Sequence, residues 1–519
     1  MAKSPNILFI MADQLAPQAL PVYGHRIVRT PHLDRLAARA TVFDSAYCNF
    51  PICAPARASL LSGRLPHSIG SYDNASEFPA SIPTMAHYLT GLGYRTILCG
   101  KMHFIGPDQL HGFEERLTTD IYPSDFAWTP DFLKGPSHRP TGVSMRPILE
   151  AGPCERSLQI DYDDEVEHRG VQKLYDLARD PGGQPFFLTV SFTHPHPPFV
   201  VGREHWDRYR HDEIDLPRVA PIPYEKLDPH SQWLHVAHAQ NLFTVTDEHV
   251  RNARHAYYGM VSYIDDKVGR LLRALESAGL AQDTVVVFGV DHGEMLGERG
   301  MWFKQTFYEW SVRIPLMIAA PGMGPRRVGA HVSLVDLLPT FLDFATDGAP
   351  PAPVDPLDGR SLVPLMTGKD AGEDRVAISE YSSEGVCAAS RMVREGRWKY
   401  VLTRGLPPML FDLVADPDEL HDLAGQPQVR EHEARLHARA ISGWDPEEVH
   451  AGILASQKRR AFLAQVAERS GRYPNWAFQP YVDASTQYVR GGGTSGPTGA
   501  KARARLPYVE PARPDREDA

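Results

Sequence analysis

Four short runs of apolar residues constrain the fold of this chain more than any other feature of its sequence. These runs cover residues 7–11, 96–99, 186–192 and 284–290. Helical patterns, with apolar residues three and four positions apart, lie at residues 31–40, 84–92, 164–178 and 247–278. A run that is apolar throughout is typical of a parallel strand buried on both faces. We therefore predict an α/β domain with a mostly parallel sheet sandwiched by helices.

Ionisable side chains follow each of the four runs. They are Asp13 after the first run, Lys101 and His103 after the second, His194 and His196 after the third, and Asp291 and His292 after the fourth. In open α/β sheets, ligands bind outside the carboxyl ends of the strands. Random surface charge would not line up in this way, so the sequence predicts one site at this edge of the sheet.

The overall charge and the cysteines narrow the possible partners. A formal net charge of -10 argues against a nucleic-acid partner, because a phosphate backbone requires a basic face. No stretch of the sequence approaches the ~18 apolar residues that a membrane-spanning helix needs. The 5 cysteines are scattered and show no metal-ligand spacing. We expect a protein of the reducing cytoplasm that binds neither nucleic acid nor membrane.

The chain is long enough for more than one domain, since its 519 residues exceed the usual size of a single core. Beyond residue 370 the pattern changes to short predicted strands at residues 376–381, 388–393, 398–402 and 409–413, followed by a helix at residues 428–441. We predict a catalytic domain at residues 1–370, a small α+β domain with an antiparallel sheet at 371–455, a tail at 456–490 and a flexible end at 491–519.

The most specific motif is Cys-Ala-Pro-Ala-Arg at residues 53–57, followed by Leu-Ser-Gly-Arg at residues 61–64. A lone cysteine in a loop is more often a small buried residue than a reactive one. These positions together resemble the signature of the formylglycine-dependent sulfatases, Cys-x-Pro-x-Arg with a Leu-x-Gly-Arg ending. The resemblance implies an alkaline-phosphatase-like fold and the hydrolysis of a small-molecule sulfate ester.

Further blocks resemble the choline-sulfatase branch of that family. They lie at residues 72–75, 100–104, 106–116, 122–130 and 476–485. The resemblance favours choline sulfate or a similar alkyl sulfate as the substrate. The stretches at residues 134–150 and 153–158 depart from the branch, which leaves another alkyl or an aryl sulfate open.

The resemblance also implies the nucleophile and the metal site. Cys53 is expected to be oxidised to Cα-formylglycine by a maturation enzyme, and the hydrated aldehyde is expected to attack sulfur. Activating that hydroxyl requires a divalent cation, for which Asp13, Gln14, Cys53, Asp291 and His292 are the expected ligands. Such a site fits Ca²⁺, with Mn²⁺ as the alternative because of the histidine and the amide. An Asp-His-Gly turn on its own is also a common helix N-cap.

Three cations match active-site residues of the family. Arg57 lies one turn beyond Cys53 and is expected to stabilise the nucleophile and the ligands of the metal. Lys101 and Lys304 match the two sulfate-binding lysines. Most lysines are solvated surface charges, so their positions within motifs carry the argument.

Two histidines match the proton-transfer residues of the family. His103 is expected to be the base that releases sulfate, and His196 is expected to polarise the oxygen of the leaving group. Histidine suits both tasks because its pKa lies near working pH. His194 is the alternative to His196, which is favoured by its neighbour Pro197.

A choline ester carries a quaternary ammonium group, which prefers aromatic faces and carboxylates. By resemblance, Asn74, Trp128, Glu384 and Asp483 match that pocket. Core packing is an equally good explanation for Trp128. In the family the tail of one subunit reaches a neighbour, so we expect a homo-oligomer, a dimer or a tetramer, in which Asp483 acts in trans.

Two other functions are compatible with these residues. A phosphonate or phosphate monoester hydrolase on the same scaffold is one, because sulfate and phosphate differ mainly in charge. A non-catalytic binding protein is the other, although the complete set of expected catalytic residues argues against it.

Peptide mass spectrometry of the fragment that contains Cys53 tests the motif directly. We expect an aldehyde at residue 53 in protein from a host with the maturation enzyme. Cys53→Ala is expected to lose nearly all turnover yet remain folded, because this side chain contributes little to the core. An unmodified thiol in fully active enzyme would contradict the nucleophile.

Overall fold

The four predicted strands lie side by side in the central sheet of the computed structural model, which describes residues 4–180, 182–474 and 476–477. The strands of the described chain are β1 Asn6–Ala12, β2 Thr41–Tyr47, β3 Arg95–Gly100, β4 Glu115–Arg116, β5 Gly152–Cys154, β6 Phe186–Ser191, β7 Val200–Gly202, β8 Thr284–Val290, β9 Arg313–Ala319, β10 Arg326–Ser333, β11 Val376–Tyr381, β12 Ser390–Glu395, β13 Trp398–Thr403 and β14 Met409–Asp412.

The helices surround this sheet and lead to the C-terminal region. Those of the described chain are α1 Pro31–Ala37, α2 Cys53–Ser62, α3 Pro66–Ile69, α4 Met85–Gly91, α5 Arg146–Leu149, α6 Leu158–Arg179, α7 Arg203–Trp206, α8 Pro229–Ala237, α9 Asp247–Ser277, α10 Glu309–Val312, α11 Leu337–Ala345, α12 Val363–Thr367, α13 Arg430–Ile441 and α14 Pro446–Ser470. None of the helices in this part of the chain is long and apolar enough to span a membrane.

The central sheet has the order β10-β2-β9-β8-β1-β6-β3-β4. Strands β8, β1, β6 and β3 are adjacent and parallel, so their carboxyl ends lie at one edge. β1 and β8 are buried along their whole length, as uniform apolar runs require. The prediction of a mostly parallel sheet is confirmed.

Four strands of this sheet were not predicted, namely β2, β9, β10 and the two-residue β4. β9 runs antiparallel to both β8 and β2, and β10 pairs with β2 in parallel. β2 and β10 carry register shifts, and β10 begins with exposed residues. The sequences of β2 and β10 are therefore neither uniformly apolar nor strictly alternating, so they lack the signal that predicts the other strands.

Helices cover both faces of the sheet. Phe187 of β6 contacts the ring of Phe341 in α11. Val190, an odd number of residues further along β6, packs against Gly170 of α6, so its side chain points to the opposite face. A Cβ at Gly170 would lie 3.3 Å from Val190, which explains why a residue without a side chain stands where α6 meets the sheet.

The C-terminal region begins with the predicted antiparallel sheet, β11-β12-β13-β14, and helix α13 packs against it. Helix α14 then runs from Pro446 to Ser470, through the predicted domain boundary at residue 455. Asp445 caps it by accepting hydrogen bonds from the backbone of Glu447 and Glu448. Most of the predicted tail and the whole predicted flexible end lie outside the described residues.

A buried lysine joins the small sheet to the catalytic region. Lys399 of β13 is fully buried and lies 2.7 Å from Glu309 and 2.6 Å from Glu419, and it donates to the carbonyl of Phe307 at 2.7 Å. A buried charge of this kind is tolerated only when it is paired and hydrogen-bonded. This ammonium group therefore ties β13 to the catalytic region through buried bonds that need a cation.

Lys399→Met is expected to lower the free energy of unfolding by about 3–5 kcal/mol, because it leaves two buried carboxylates without their cation. Denaturant unfolding of the variant and of the exposed control Lys369→Met measures the effect. Equal midpoints for the two variants would contradict this account.

Candidate active site

Helix α2 begins at Cys53 and directs its first turn into the site. Ile52 is extended, and Pro55 lies in the first turn, where a missing backbone N–H is harmless. The backbone N–H of Ala54 donates to Asn74 Oδ1 at 3.0 Å. The helix ends at Gly63, whose φ of 67° suits a residue without a side chain. The remaining free N–H groups and the helix dipole favour an anion at Cys53.

Arg57, one turn further along α2, binds the two aspartates that end neighbouring strands. Its guanidinium lies 3.0 Å from Asp13 and 2.8 Å from Asp291. It also donates to the backbone carbonyl of Lys101 at 2.7 Å and to Ser191 Oγ at 2.9 Å. All of these groups are buried, so the guanidinium supplies hydrogen bonds to oxygen atoms that are shielded from solvent.

Four predicted ligands, one of them the predicted nucleophile, converge on one point. Single donor atoms of Asp13, Cys53, Asp291 and His292 all lie within 4.8 Å of one another. Cys53 Sγ is 3.2 Å from His292 Nε2 and 3.9 Å from Asp13 Oδ1. The Sγ atom stands in for the oxygen that a formylglycine would carry at this position.

The orientation of His292 fits a metal ligand. Its Nδ1 lies 3.1 Å from the carbonyl of Gly293, which can only accept a hydrogen bond. The proton therefore resides on Nδ1, and the lone pair of Nε2 points into the cluster. Two carboxylates and an imidazole are a donor set that suits a divalent cation. These residues fit the expected ion.

Gln14, the fifth predicted ligand, lies beside this cluster. Its backbone N–H donates to Asp291 Oδ1 at 3.2 Å. Its side-chain oxygen accepts a hydrogen bond from Lys304, and its amide nitrogen donates to Glu294. Gln14 thus links the metal cluster to one of the two predicted sulfate-binding lysines.

The charges around Asp13 keep it ionised. Burial would raise the pKa of this carboxyl, but the neighbouring cations, Lys101 above all and also Arg57, outweigh burial and hold the pKa well below its ordinary value. Lys101 forms an ion pair with Asp13, and its ammonium is 3.5 Å from Cys53 Sγ. The same pair raises the pKa of Lys101 despite its burial, so the lysine stays cationic beside the nucleophile.

The two predicted proton-transfer residues lie on either side of Tyr122. The ring of His103 stacks on that of Tyr122, with centroids 4.9 Å apart. The Tyr122 hydroxyl is 3.1 Å from His196 Nδ1. Desolvation, with a smaller contribution from the charge of Lys304, holds the pKa of His196 well below its ordinary value. His194, the alternative, is fully buried and bound to Asp163 at 2.6 Å.

A cavity of about 580 Å³ opens above Cys53. Its walls contain the predicted nucleophile, both proton-transfer candidates, one of the two predicted sulfate-binding lysines and three of the predicted substrate-binding residues: Cys53, Asn74, His103, Trp128, His196, Lys304 and Glu384. Asp483, the fourth, lies outside the described residues. One cavity therefore connects the predicted nucleophile with a wall that carries an aromatic ring and a carboxylate.

Glu384 is the acidic group of that wall. Its carboxylate accepts hydrogen bonds from the backbone N–H of Thr141, at 3.3 Å, and from the Thr141 hydroxyl. Burial raises the pKa of Glu384 to about 7, and the hydrogen bonds from Thr141 oppose that rise. A cation bound in the cavity would favour the ionised form.

Sequence reasoning missed several residues of the site. Tyr122 and Thr141 line the cavity but follow no predicted strand. Glu294 is fully buried and accepts hydrogen bonds from the backbone of Leu296 at 2.9 Å and Phe303 at 2.6 Å. Its position three residues after Asp291 was a usable signal, because an acid so close to a predicted ligand is expected near the site.

The fold and this site define the class of the protein. The Sulfatase family profile matches residues 5–347, and the profile for the C-terminal region of N-sulphoglucosamine sulphohydrolase matches residues 297–443. A third profile, Choline sulfatase enzyme C terminal, matches residues 451–503. The chain belongs to the sulfatase family and is a sulfuric ester hydrolase.

Individual proteins give a finer comparison. The chain is 46% identical over 495 residues to the choline-sulfatase of Rhizobium meliloti (strain 1021), covering 94% of this chain and 96% of that protein. It is 29% identical to human arylsulfatase K over 450 residues, covering 82% and 79%. Among solved structures, the phosphonate monoester hydrolase of Agrobacterium radiobacter superimposes with a TM-score of 0.67 at 27% identity, covering 84% and 95%.

Removal of the metal is expected to abolish hydrolysis. Prolonged chelation should empty a site built from Asp13, Asp291 and His292, and added Ca²⁺ or Mn²⁺ should restore turnover. Asp291→Asn should reduce both the metal content, measured by elemental mass spectrometry, and the activity. Asp374→Asn, at an exposed carboxylate, is the matched control. Full metal content and turnover in Asp291→Asn would contradict the assignment.

Proposed function

We propose that this sulfatase hydrolyses the sulfate ester of choline or of a similar small cationic alcohol. The observation that carries the proposal is the shared cavity, in which Trp128 and Glu384 lie on the wall beside Cys53 and Lys304. A quaternary ammonium group is stabilised by an aromatic face and by a nearby carboxylate. The similarity to a choline-sulfatase along nearly the whole chain supports the same substrate.

Cationic side chains surround the part of the cavity where the sulfate group would bind. Lys101 and Lys304 are within reach of a group bound above Cys53, and the first turn of α2 adds free N–H groups. Both ammonium groups are largely buried, so their attraction for an anion is weakly screened. We infer that they bind the sulfate oxygens and offset the charge that develops during transfer.

The two histidines divide the proton transfers between them. An alkoxide is a poor leaving group, so cleavage of an alkyl sulfate requires a proton at the ester oxygen. His196 is proposed to donate that proton from Nε2 in its imidazolium form, which a bound sulfate anion favours, and His103 is proposed to accept the proton whose removal releases sulfate. Both rings line the cavity, as this division requires.

The proposal includes a formylglycine at residue 53 and a divalent ion at the cluster below it. A hydrated aldehyde there would carry a hydroxyl in place of the thiol. The ion, Ca²⁺ or Mn²⁺, would lower the pKa of that hydroxyl and screen the sulfate when bound by Asp13, Asp291 and His292. Arg57 keeps both carboxylates fixed in position.

The proposal further places the enzyme in the cytoplasm as a homo-oligomer, in which Asp483 of a neighbouring copy adds a second carboxylate to the pocket. Its partners are then the ester, the maturation enzyme and further copies of the chain. A phosphonate ester is the alternative substrate, because phosphonate monoester hydrolases share the fold. Glu384 and Trp128 favour a cationic alcohol but do not distinguish sulfur from phosphorus. The similarity to a choline-sulfatase favours the sulfate ester.

Substrate pairs of matched shape test the proposal. We expect kcat/KM for choline sulfate to exceed that for 3,3-dimethylbutyl sulfate, the ester of the uncharged carbon analogue of choline, and that for the methylphosphonate ester of choline. Glu384→Gln should lower kcat/KM for choline sulfate about tenfold, a loss of ~1.4 kcal/mol, and leave that for 3,3-dimethylbutyl sulfate nearly unchanged. Faster cleavage of the phosphonate ester would reverse the order of the two functions.

The pH dependence gives the same test a second readout. Glu384 is neutral below its pKa of about 7 and anionic above it, so binding of a cation should improve as the pH rises through that value. The ratio of kcat/KM for choline sulfate to that for 3,3-dimethylbutyl sulfate should therefore increase over this range. Glu384→Gln should make the ratio independent of pH, and a ratio that falls with pH would contradict the role of Glu384.

A further inference from the structure

We propose that Tyr122 is a positioning residue that orients both proton-transfer histidines, an inference that rests on the proposed function. Its ring fixes the plane of His103, and its hydroxyl fixes the ring of His196. The structure brings both contacts together on one side chain.

His103 depends on Tyr122 because hydrogen bonds do not orient its ring. Neither ring nitrogen of His103 has a hydrogen-bond partner among the described residues, although both atoms are buried. The ring instead lies on Tyr122 at an interplanar angle of 23°, with the edge of Trp128 at a centroid distance of 6.0 Å. Stacking of this kind holds the plane of the imidazole and leaves both nitrogens available to a substrate.

His196 receives its orientation through hydrogen bonds. Its Nδ1 is 2.7 Å from the carbonyl of Pro197, so Nδ1 carries a proton and Nε2 is the nitrogen that faces other groups. The Tyr122 hydroxyl lies 3.1 Å from Nδ1 and 3.4 Å from Nε2. A phenol at this position restricts rotation of the ring, which a single bond to a backbone carbonyl does not.

The phenol is held in its protonated form. Burial raises the pKa of Tyr122, which outweighs the lowering by the charge of Lys101. The Lys101 ammonium lies 4.1 Å from the centre of the Tyr122 ring, a cation–π contact. Tyr122 therefore also joins the histidines to a predicted sulfate-binding lysine.

Asp120 fixes the backbone on both sides of the stack. One carboxylate oxygen accepts the N–H groups of Met102 at 2.9 Å and His103 at 2.7 Å, while the other accepts those of Ile121 at 2.9 Å and Tyr122 at 3.3 Å. His103 has a φ of 56°, a conformation that most residues avoid. The carboxylate thus stabilises a strained backbone and sets the distance between the two rings.

Two substitutions separate the two contacts. Tyr122→Phe removes the hydroxyl beside His196 and keeps the ring beneath His103. Tyr122→Leu removes both contacts. Because protonation of the leaving group matters for an alkoxide and little for a nitrophenolate, the two variants should respond differently to the choice of ester.

For Tyr122→Phe we expect kcat/KM to fall about 10- to 100-fold on an alkyl sulfate and less than about threefold on 4-nitrophenyl sulfate. For Tyr122→Leu we expect a loss of about tenfold or more on both esters, because release of sulfate through His103 is common to them. Equal losses of Tyr122→Phe on the two esters would overturn the inference, since a general loss of structure produces that result.

Controls separate this inference from the proposed function. Tyr162→Phe removes another tyrosine hydroxyl bond, 2.7 Å to the carbonyl of Thr119, without touching either histidine, and should leave both esters unaffected. In a His196→Asn background, Tyr122→Phe should add little further loss on the alkyl ester. If Tyr122→Phe causes its full loss in the His196→Asn background as well, the role of Tyr122 is wrong. If the wild-type enzyme cleaves no sulfate ester, the proposed function itself is wrong.

Discussion

The guanidinium of Arg57 is the interaction on which the rest of the site depends. It contacts Asp13 after β1, Asp291 after β8, the carbonyl of Lys101 after β3 and Ser191 at the end of β6. These are the four adjacent parallel strands of the sheet, so a single side chain holds their carboxyl ends against helix α2. Any change in strand spacing would break at least one of these charge-assisted bonds.

That arrangement also explains how so many charges remain buried together. Two carboxylates alternate with Arg57 and Lys101, and each group has a partner of opposite sign. Removing one partner of such a cluster leaves an uncompensated buried charge and strongly lowers the stability of the fold. Replacing the whole cluster with apolar residues changes the stability much less. The cluster therefore adds little net stability to the fold. Its main effect is to fix the positions of these side chains relative to one another.

The sequence was sufficient for the fold class and for the groups at the strand ends. The runs at residues 7–11, 96–99, 186–192 and 284–290 are β1, β3, β6 and β8, because double burial demands apolar side chains at every position. The convergence of Asp13 with Asp291 and Lys101 follows from parallel pairing alone. The antiparallel sheet beyond residue 370 was also predictable, from turn residues between short strands.

The sequence did not suffice for the walls of the cavity. Tyr122, Asp120 and Thr141 lie in loops whose course depends on tertiary contacts, and no periodicity marks them. Helix α6 begins at Leu158, six residues before the predicted start at residue 164, because the side chain of Ser157 accepts the N–H of Ile160 and caps the helix there. Local patterns cannot reveal such contacts, since each of them joins segments that are distant in the chain or depends on a single side-chain oxygen.

The burial of α2 has a consequence for the order in which an active molecule is made. Every residue of this helix is buried, and Cys53 exposes only 2% of its surface. If residue 53 is oxidised as proposed, another enzyme must reach its backbone and side chain before α2 packs onto the sheet. The active fraction is then set by the relative rates of two processes, chemical modification and folding. A chain that folds too quickly retains a thiol permanently, with an intact structure and no nucleophile.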